Sequence, residues 1–246
     1  MNLVLDLGNT YGKIAVCQGI DVIEVAGYEK ITINEMAYFQ SCYEDISGAI
    51  ISSVVNHSRE IIDYLCNMVE TCIELNNNTP LPITNKYKTP DTLGYDRIAA
   101  VSGAHTIFPD KDVLVIDAGT AITYDLVTSD GNYLGGNIAP GMEMRFKALN
   151  KYTNRLPLLE AEEGPIELVG GSTTEAIQSG VINGMIFEIE GFIATLSKEY
   201  PKLQVVITGG DAKYFEKKVK SSIFVNLNLN IIGLNRILEY NAGKHI

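Results

Sequence analysis

Two aspartates, Asp6 and Asp117, stand at equivalent places in two short segments. Asp6 follows the apolar run Leu3-Val4-Leu5 and opens Asp6-Leu7-Gly8-Asn9-Thr10. Asp117 follows Val113-Leu114-Val115-Ile116 and opens Asp117-Ala118-Gly119-Thr120-Ala121. A second apolar run comes after each turn, Ile14-Ala15-Val16 and Ile122-Thr123-Tyr124. The pattern predicts strand, turn and strand with an acid at the mouth, used twice. Such a turn suits phosphate and metal. Glycine lets backbone N–H groups come close to an anion, and Thr and Asn add hydroxyl and amide donors. The acid can hold Mg²⁺, usually through water, because that ion dehydrates reluctantly. Lys13, just past the first turn, can touch a phosphate or lie on an exposed strand face. Either segment alone could be an ordinary β-turn. The matched pair suggests a duplicated fold that clamps a nucleotide between its halves.

Other groups of residues have chemical and plain readings side by side. Thr208-Gly209-Gly210-Asp211 ends the apolar run Leu203 to Ile207. It can let a flat ring approach the backbone and aim a helix N-terminus at a ligand, or be a strand-to-helix turn capped by Asp211. Gly94-Tyr95-Asp96-Arg97 opens a helix after the irregular stretch Tyr87-Lys88-Thr89-Pro90. Its Asp can accept a proton from an alcohol and its Arg can grip a carboxylate with two donors; a solvated helix face is the plain alternative. Gly135 to Gly141 reads as a hairpin end leading into a helix. Thr173 and Thr174 read as capping residues of a long helix.

The elements that must position these groups follow from periodicity and turn residues. Strands are predicted at 2–6, 12–18, 20–26 and 49–55. Helices are predicted at 34–45, from Arg59 to Cys72, from Tyr95 to Thr106, at 142–150, 172–199 and from Asn230 to Tyr240. Residues 85–93, which include Pro90, are predicted to be irregular. Pro109-Asp110-Lys111-Asp112 is the expected junction, giving halves 1–110 and 111–246. Strand-then-helix order in both makes the class α/β.

The 246 residues are 46% apolar and carry a net charge of −11, which argues against nucleic acid or an anionic membrane as the main partner. No apolar run reaches the 18 residues of a membrane span, so no transmembrane helix is expected. The four cysteines, Cys17, Cys42, Cys66 and Cys72, lack zinc-site spacing and are expected to be free thiols in a reducing cytoplasm.

Over nearly its whole length the chain resembles the type III pantothenate kinases, of the acetate kinase, sugar kinase, chaperone ATPase and actin superfamily. The resemblance rests on Asp6-Leu7-Gly8-Asn9-Thr10 with Lys13, Ile51-Ser52-Ser53-Val54-Val55, Tyr87-x-x-Pro90, Gly94-x-Asp96-Arg97 and Asp117-x-Gly119-Thr120-Ala121. It continues with Gly135-Gly136-x-Ile138-x-Pro140-Gly141, Thr173 ahead of Gln178-Ser179-Gly180, and Thr208-Gly209-Gly210-Asp211. It implies a duplicated actin-like (ribonuclease H-like) ATPase fold. It implies ATP-dependent phosphorylation of pantothenate, opening coenzyme A synthesis in the cytoplasm, by a homodimer that needs Mg²⁺ and K⁺ or NH₄⁺. Asp6, Leu7, Gly8, Asn9, Thr10, Tyr11, Gly12 and Lys13 would form the phosphate loop, with Asp6 near Mg²⁺. Thr120, Gly209 and Gly210 would contact ATP, and Asp117 would hold the monovalent cation. Asp96 would be the general base. Tyr87, Gly94, Tyr95, Arg97 and Thr173 would join it in binding pantothenate. Tyr95 is bulky where the family usually has a small aliphatic residue. Two rival readings share the hairpins: another small-molecule kinase of the superfamily, and a non-catalytic nucleotide-binding regulator.

Overall fold

A computed structural model describes residues 1–8, 11–53 and 59–243. The chain forms two compact units. The first is Met1–Asp110 with Val127–Leu134 and Asn228–Ile246; the second is Lys111–Leu126 with Gly135–Leu227.

In chain order the elements are β1 (Asn2–Leu7), β2 (Gly12–Gln18), β3 (Asp21–Tyr28), α1 (Ile33–Cys42), β4 (Gly48–Ser53), α2 (Arg59–Met68), β5 (Thr71–Glu74), β6 (Thr84–Asn85) and α3 (Tyr95–Ile107). Then come β7 (Val113–Ala118), β8 (Ala121–Val127), β9 (Asn132–Pro140), α4 (Met142–Lys151), α5 (Thr173–Glu199), β10 (Gln204–Thr208), α6 (Ala212–Glu216), β11 (Phe224–Val225) and α7 (Leu229–Asn241). The first sheet has the order β3-β2-β1-β4-β5. The second runs β11-β10-β7-β8-β9, with β6 beside the start of β9. Written from the other edge, β9-β8-β7-β10-β11 repeats the first order element for element. Each time, three strands lead through helix to a fourth, through helix to a fifth, and on to a helix. The duplication expected from the hairpins thus extends to the topology. β1 pairs antiparallel with β2 and parallel with β4, while β7 pairs parallel with β10.

The central strands are buried along nearly their whole length, as strands covered on both faces must be. In the first unit, Leu3, Leu5, Ile14, Val16, Ala49 and Ile51 pack with Met36 and Phe39 of α1 and Leu65 of α2. Thr32 caps α1 through a complete capping box with Glu35. In the second unit, Leu114, Ile116, Ile122 and Ile207 pack with Ile177, Val181, Ile182, Met185 and Ile189 of α5. That helix has the length and apolar content of a membrane span, although it carries Glu188 and Glu190.

Helix α3, which carries Asp96 and Arg97, is seated on α7 at backbone distance. A Cβ on Gly233 would lie 1.8 Å from the Ala99 carbonyl oxygen, and one on Gly103 2.3 Å from that of Leu229. Two bare Cα positions therefore let the helices touch.

Three local expectations change. Helix α2 stops at Met68, and Thr71 to Glu74 pair parallel with β4 as a strand; the apolar spacing that suggested one helix to Cys72 also serves the adjoining strand. That turn brings Cys66 and Cys72 together in a disulfide, with Cα atoms 5.1 Å apart, where free thiols were expected; Cys17 and Cys42 are free. Gly135 to Pro140 is the second half of strand β9 rather than a bend. There Gly136 runs so close to β8 that a Cβ would lie 2.0 Å from the Tyr124 oxygen.

Candidate active site

The first turn joins β1 and β2. Leu7 is buried at the end of β1, and Gly8 N–H donates to the Tyr11 carbonyl at 3.2 Å. Asn9 and Thr10 lie outside the described residues, as do Val54 and Val55. Tyr11 is exposed and its ring lies over Gly27, where a Cβ would meet it at 3.0 Å. Gly12 and Lys13 begin β2. Asp6 stands opposite Lys13 on β2 and Ser52 on β4. Burial raises the Asp6 carboxyl to about 6, with Lys13 pulling it down and the charge of Asp96 pushing it up. The first turn and the N-terminus of α3 therefore share one electrostatic environment, although Asp6 and Asp96 are far apart in sequence.

At that N-terminus, Gly94 is the N-cap and provides no side-chain cap. Asp96 takes over part of that work. Its Oδ1 accepts the Arg97 N–H at 2.8 Å, a carboxylate placed where the helix dipole favours it. This fold-back is possible only beside glycine, since a Cβ at residue 94 would lie 2.3 Å from Asp96 Oδ1. Asp96 is otherwise exposed, whereas Arg97 is buried. The Arg97 guanidinium lies 5.3 Å from the centre of the Tyr87 ring. Tyr95 hydroxyl donates to Asn77 Oδ1 at 3.2 Å, so the bulky residue is engaged by the 76–79 turn.

In the second unit the second turn, Gly141 and the Gly209-Gly210 turn converge. Gly119 N–H donates to the Ala121 carbonyl, and Gly141 N–H to the exposed Thr120 carbonyl. A Cβ at Gly141 would lie 2.1 Å from the Gly119 oxygen. Gly209, with φ +92, would place a Cβ 2.3 Å from the Ala118 oxygen and 2.5 Å from Asp117 Oδ1. Asp211 N–H donates to the Ala118 carbonyl at 2.9 Å. Asp211 stands at the N-cap of α6 without a side-chain cap bond, and burial, then Glu143, raises its carboxyl.

Thr173 is the exposed first residue of α5 and belongs to the second unit, whereas Tyr87, Gly94, Tyr95, Asp96 and Arg97 belong to the first. The cap of α5 is Ser172, whose hydroxyl accepts the Glu175 N–H, so Thr173 is not needed for capping. Sequence reasoning missed Tyr133, whose ring stacks on Tyr87. An isolated tyrosine after a turn carries no pattern that would single it out.

The family model of type III pantothenate kinases matches residues 2–195. A type III pantothenate kinase of Phocaeicola vulgatus is 47% identical over 241 residues, covering 98% of this chain and 99% of that one. Among solved structures, a Campylobacter jejuni protein described as a Baf family transcriptional activator is 23% identical, with a TM-score of 0.62 over 98% of this chain and 99% of that one. The activator of 2-hydroxyisocaproyl-CoA dehydratase from Clostridium difficile, solved with ADPNP, is 15% identical with a TM-score of 0.55, covering 99% and 96% of the two chains. At such identities these two establish the fold alone, that of the actin-like ATPases and sugar kinases. The sequence relatives establish more: the chain belongs to the type III pantothenate kinase family.

Proposed function

We propose that this chain transfers the γ-phosphoryl group of ATP to the primary alcohol of pantothenate, giving 4′-phosphopantothenate, the first step of coenzyme A biosynthesis, in the cytoplasm. The observation that carries the reading is the grouping in one unit of an exposed carboxylate, Asp96, a buried guanidinium, Arg97, and an aromatic ring, Tyr87, within the electrostatic reach of Asp6. Phosphoryl transfer asks mainly for positioning and charge neutralisation, and these groups divide that work.

Asp96 is the general base. Its Oδ1 is held by the Arg97 amide, which orients the carboxylate and leaves Oδ2 to take the proton of the attacking hydroxyl. Arg97 binds the pantothenate carboxylate, and Tyr87 fixes the plane of the guanidinium. Gly94 and Tyr95 complete that wall. Residues 6–13 receive the ATP phosphates through backbone N–H groups and Lys13. In the second unit, Thr120, Gly209 and Gly210 are the residues assigned to nucleotide contact.

Among the described residues no three acids, histidines or cysteines gather as a metal cage. The recessed carboxylate of Asp6 fits Mg²⁺ held through water and shared with phosphates. Mg²⁺ there would neutralise phosphate charge. Asp117 Oδ1 and the Ala118 carbonyl both face the bare Cα of Gly209, an oxygen set suited to a hard monovalent cation such as K⁺ or NH₄⁺. A cavity of about 1020 Å³ in the second unit is lined by Met144, Leu149, Tyr152, Thr173 and Ile177. Tyr152 is 78% exposed there, and this apolar face supports the homodimer.

The test is ADP release from purified protein with MgATP and pantothenate, in K⁺ and again in Na⁺. Pantothenate-dependent turnover that requires K⁺ is expected. ATP binding without turnover in any cation would overturn the reading in favour of another acceptor or a regulator. Asp96→Asn should retain ATP binding and lose roughly 10²–10⁴-fold in turnover, the usual worth of a general base; a near-normal rate would remove Asp96 from that role. Arg97→Ala should raise the pantothenate KM and leave that of ATP unchanged.

A further inference from the structure

Tyr87 sits on a segment with little regular structure to aim it. The ladder behind it, β6, is two residues long, and a short 3₁₀ turn at Pro90–Thr92 follows. What holds this segment is the start of β9, chiefly Tyr133. The Tyr133 carbonyl accepts the Lys86 N–H at 2.9 Å. Its Cα is registered opposite Asn85, and Asn85 Oδ1 accepts the Tyr87 N–H at 2.9 Å. The wholly buried Tyr133 ring lies 6.1 Å from the Tyr87 ring with the planes 10° apart. The same Tyr87 ring carries the Arg97 guanidinium. One buried residue thus fixes both the backbone and the ring plane of the side chain against which Arg97 rests.

Core filling alone would need only a large apolar side chain at residue 133. A parallel aromatic pair is directional, because the ring quadrupoles favour offset stacking. A guanidinium over a ring is directional too. The two contacts in series turn the orientation of Tyr133 into the orientation of Arg97. We propose that Tyr133 is a positioning residue that sets the affinity of the site for the carboxylate end of its acceptor, acting through Tyr87 on Arg97. The proposal rests on the assignment of Arg97 to the pantothenate carboxylate.

The experiment measures kcat, the KM for pantothenate, the KM for MgATP and the melting temperature. The variants are Tyr133→Phe, Tyr133→Leu, Tyr87→Leu, the double variant and Arg97→Ala. Tyr133→Phe keeps the ring and should leave the pantothenate KM within about twofold of wild type. Tyr133→Leu should raise it about three- to tenfold, the worth of an aromatic pair, with the MgATP KM unchanged. In the Tyr87→Leu background, Tyr133→Leu should add no more than about twofold, because coupled residues are not additive. A lower melting temperature with an unmoved pantothenate KM would reduce Tyr133 to core filling and overturn the proposal. So would an equal rise in both KM values, or a full effect of Tyr133→Leu without Tyr87. If the Leu variant does not fold, Tyr133→Met, with similar reach and no ring face, puts the same question. If Arg97→Ala leaves the pantothenate KM unchanged, the carboxylate assignment fails first. If Arg97→Ala raises it and the Tyr133 variants do not, the positioning proposal alone fails.

Discussion

The two hairpins share a sequence pattern and a place in the sheet order, yet their surroundings differ in kind. The first is set among charges: Lys13 lies across from Asp6, Asp96 acts on it through space, and burial raises its carboxyl to about 6. The second is set among backbone: Gly141 and Gly209 press bare Cα atoms against the carbonyls of residues 118–120. Duplication supplied the same strand–turn–strand twice, and the neighbours divided its work. The first hairpin places a raised carboxyl among other charges. The second is built to bring main-chain oxygens and a flat glycine surface together.

If that division holds, equivalent substitutions should fail differently. Asp6→Asn should reduce turnover by roughly 10²–10³-fold, the usual loss when one preorganised electrostatic partner is removed, while melting temperature stays level or rises. A turnover within about threefold of wild type would end the idea that charge is managed at the first turn. The next largest contrast pairs Gly141→Ala with Gly8→Ala. A Cβ at residue 141 meets two backbone oxygens, at 2.1 and 2.5 Å, whereas one at residue 8 meets, among the described residues, the Tyr11 oxygen at 2.8 Å. Overpacking against backbone costs about 1–3 kcal/mol, so Gly141→Ala should show the larger loss in denaturant midpoint. Equal losses would mean that the second hairpin is no more tightly enclosed than the first.

Much of this arrangement was legible in the residues. Asp6 and Asp117 after their apolar runs announced the hairpins, because strand burial and turn residues are local; Gly209-Gly210 read as room for a ligand ring, and the packing of Gly209 against the Ala118 carbonyl was not part of that reading. The proximity of Asp6 to Asp96 was not legible, since it depends on how α3 lies on α7 across Gly103 and Gly233. Nor was the Cys66–Cys72 bridge, which exists because α2 ends early and β5 begins three residues later. The helical period of residues 61 to 72 hid that break. Tyr133 was invisible for a similar reason: its meaning lies in Tyr87, brought to it by the pairing of β6 with β9.

A smaller effect concerns the cation. If Asp117 holds K⁺, Asp117→Asn should raise the K⁺ concentration for half-maximal activity about tenfold or more, since a charged ligand becomes a neutral one. Asp6→Asn should leave that concentration unchanged in whatever activity remains. A K⁺ requirement shifted by Asp6→Asn and not by Asp117→Asn would reverse the assignment of the two hairpins.

The last effect is the most specific to the first hairpin, because it depends on a proton. The folded Asp6 carboxyl titrates at about 6, against an ordinary value of 3.8. Between those values the folded chain keeps a proton there that the unfolded chain has released, so this residue favours folding below about pH 4. That contribution is lost as pH rises through about 6. Asparagine cannot titrate. Asp6→Asn should therefore gain stability relative to wild type as pH rises from 4 to 6, and the gap should then stay constant, at most on the order of 3 kcal/mol. Activity should run the other way. If Asp6 serves ATP as the anion, kcat/KM for MgATP should fall as pH drops below about 6. Melting curves of both proteins across pH 4 to 8, beside the wild-type pH profile, read both slopes. A constant gap in melting temperature would take the proton away from Asp6, and with it the contrast between a hairpin set among charges and one set among backbone.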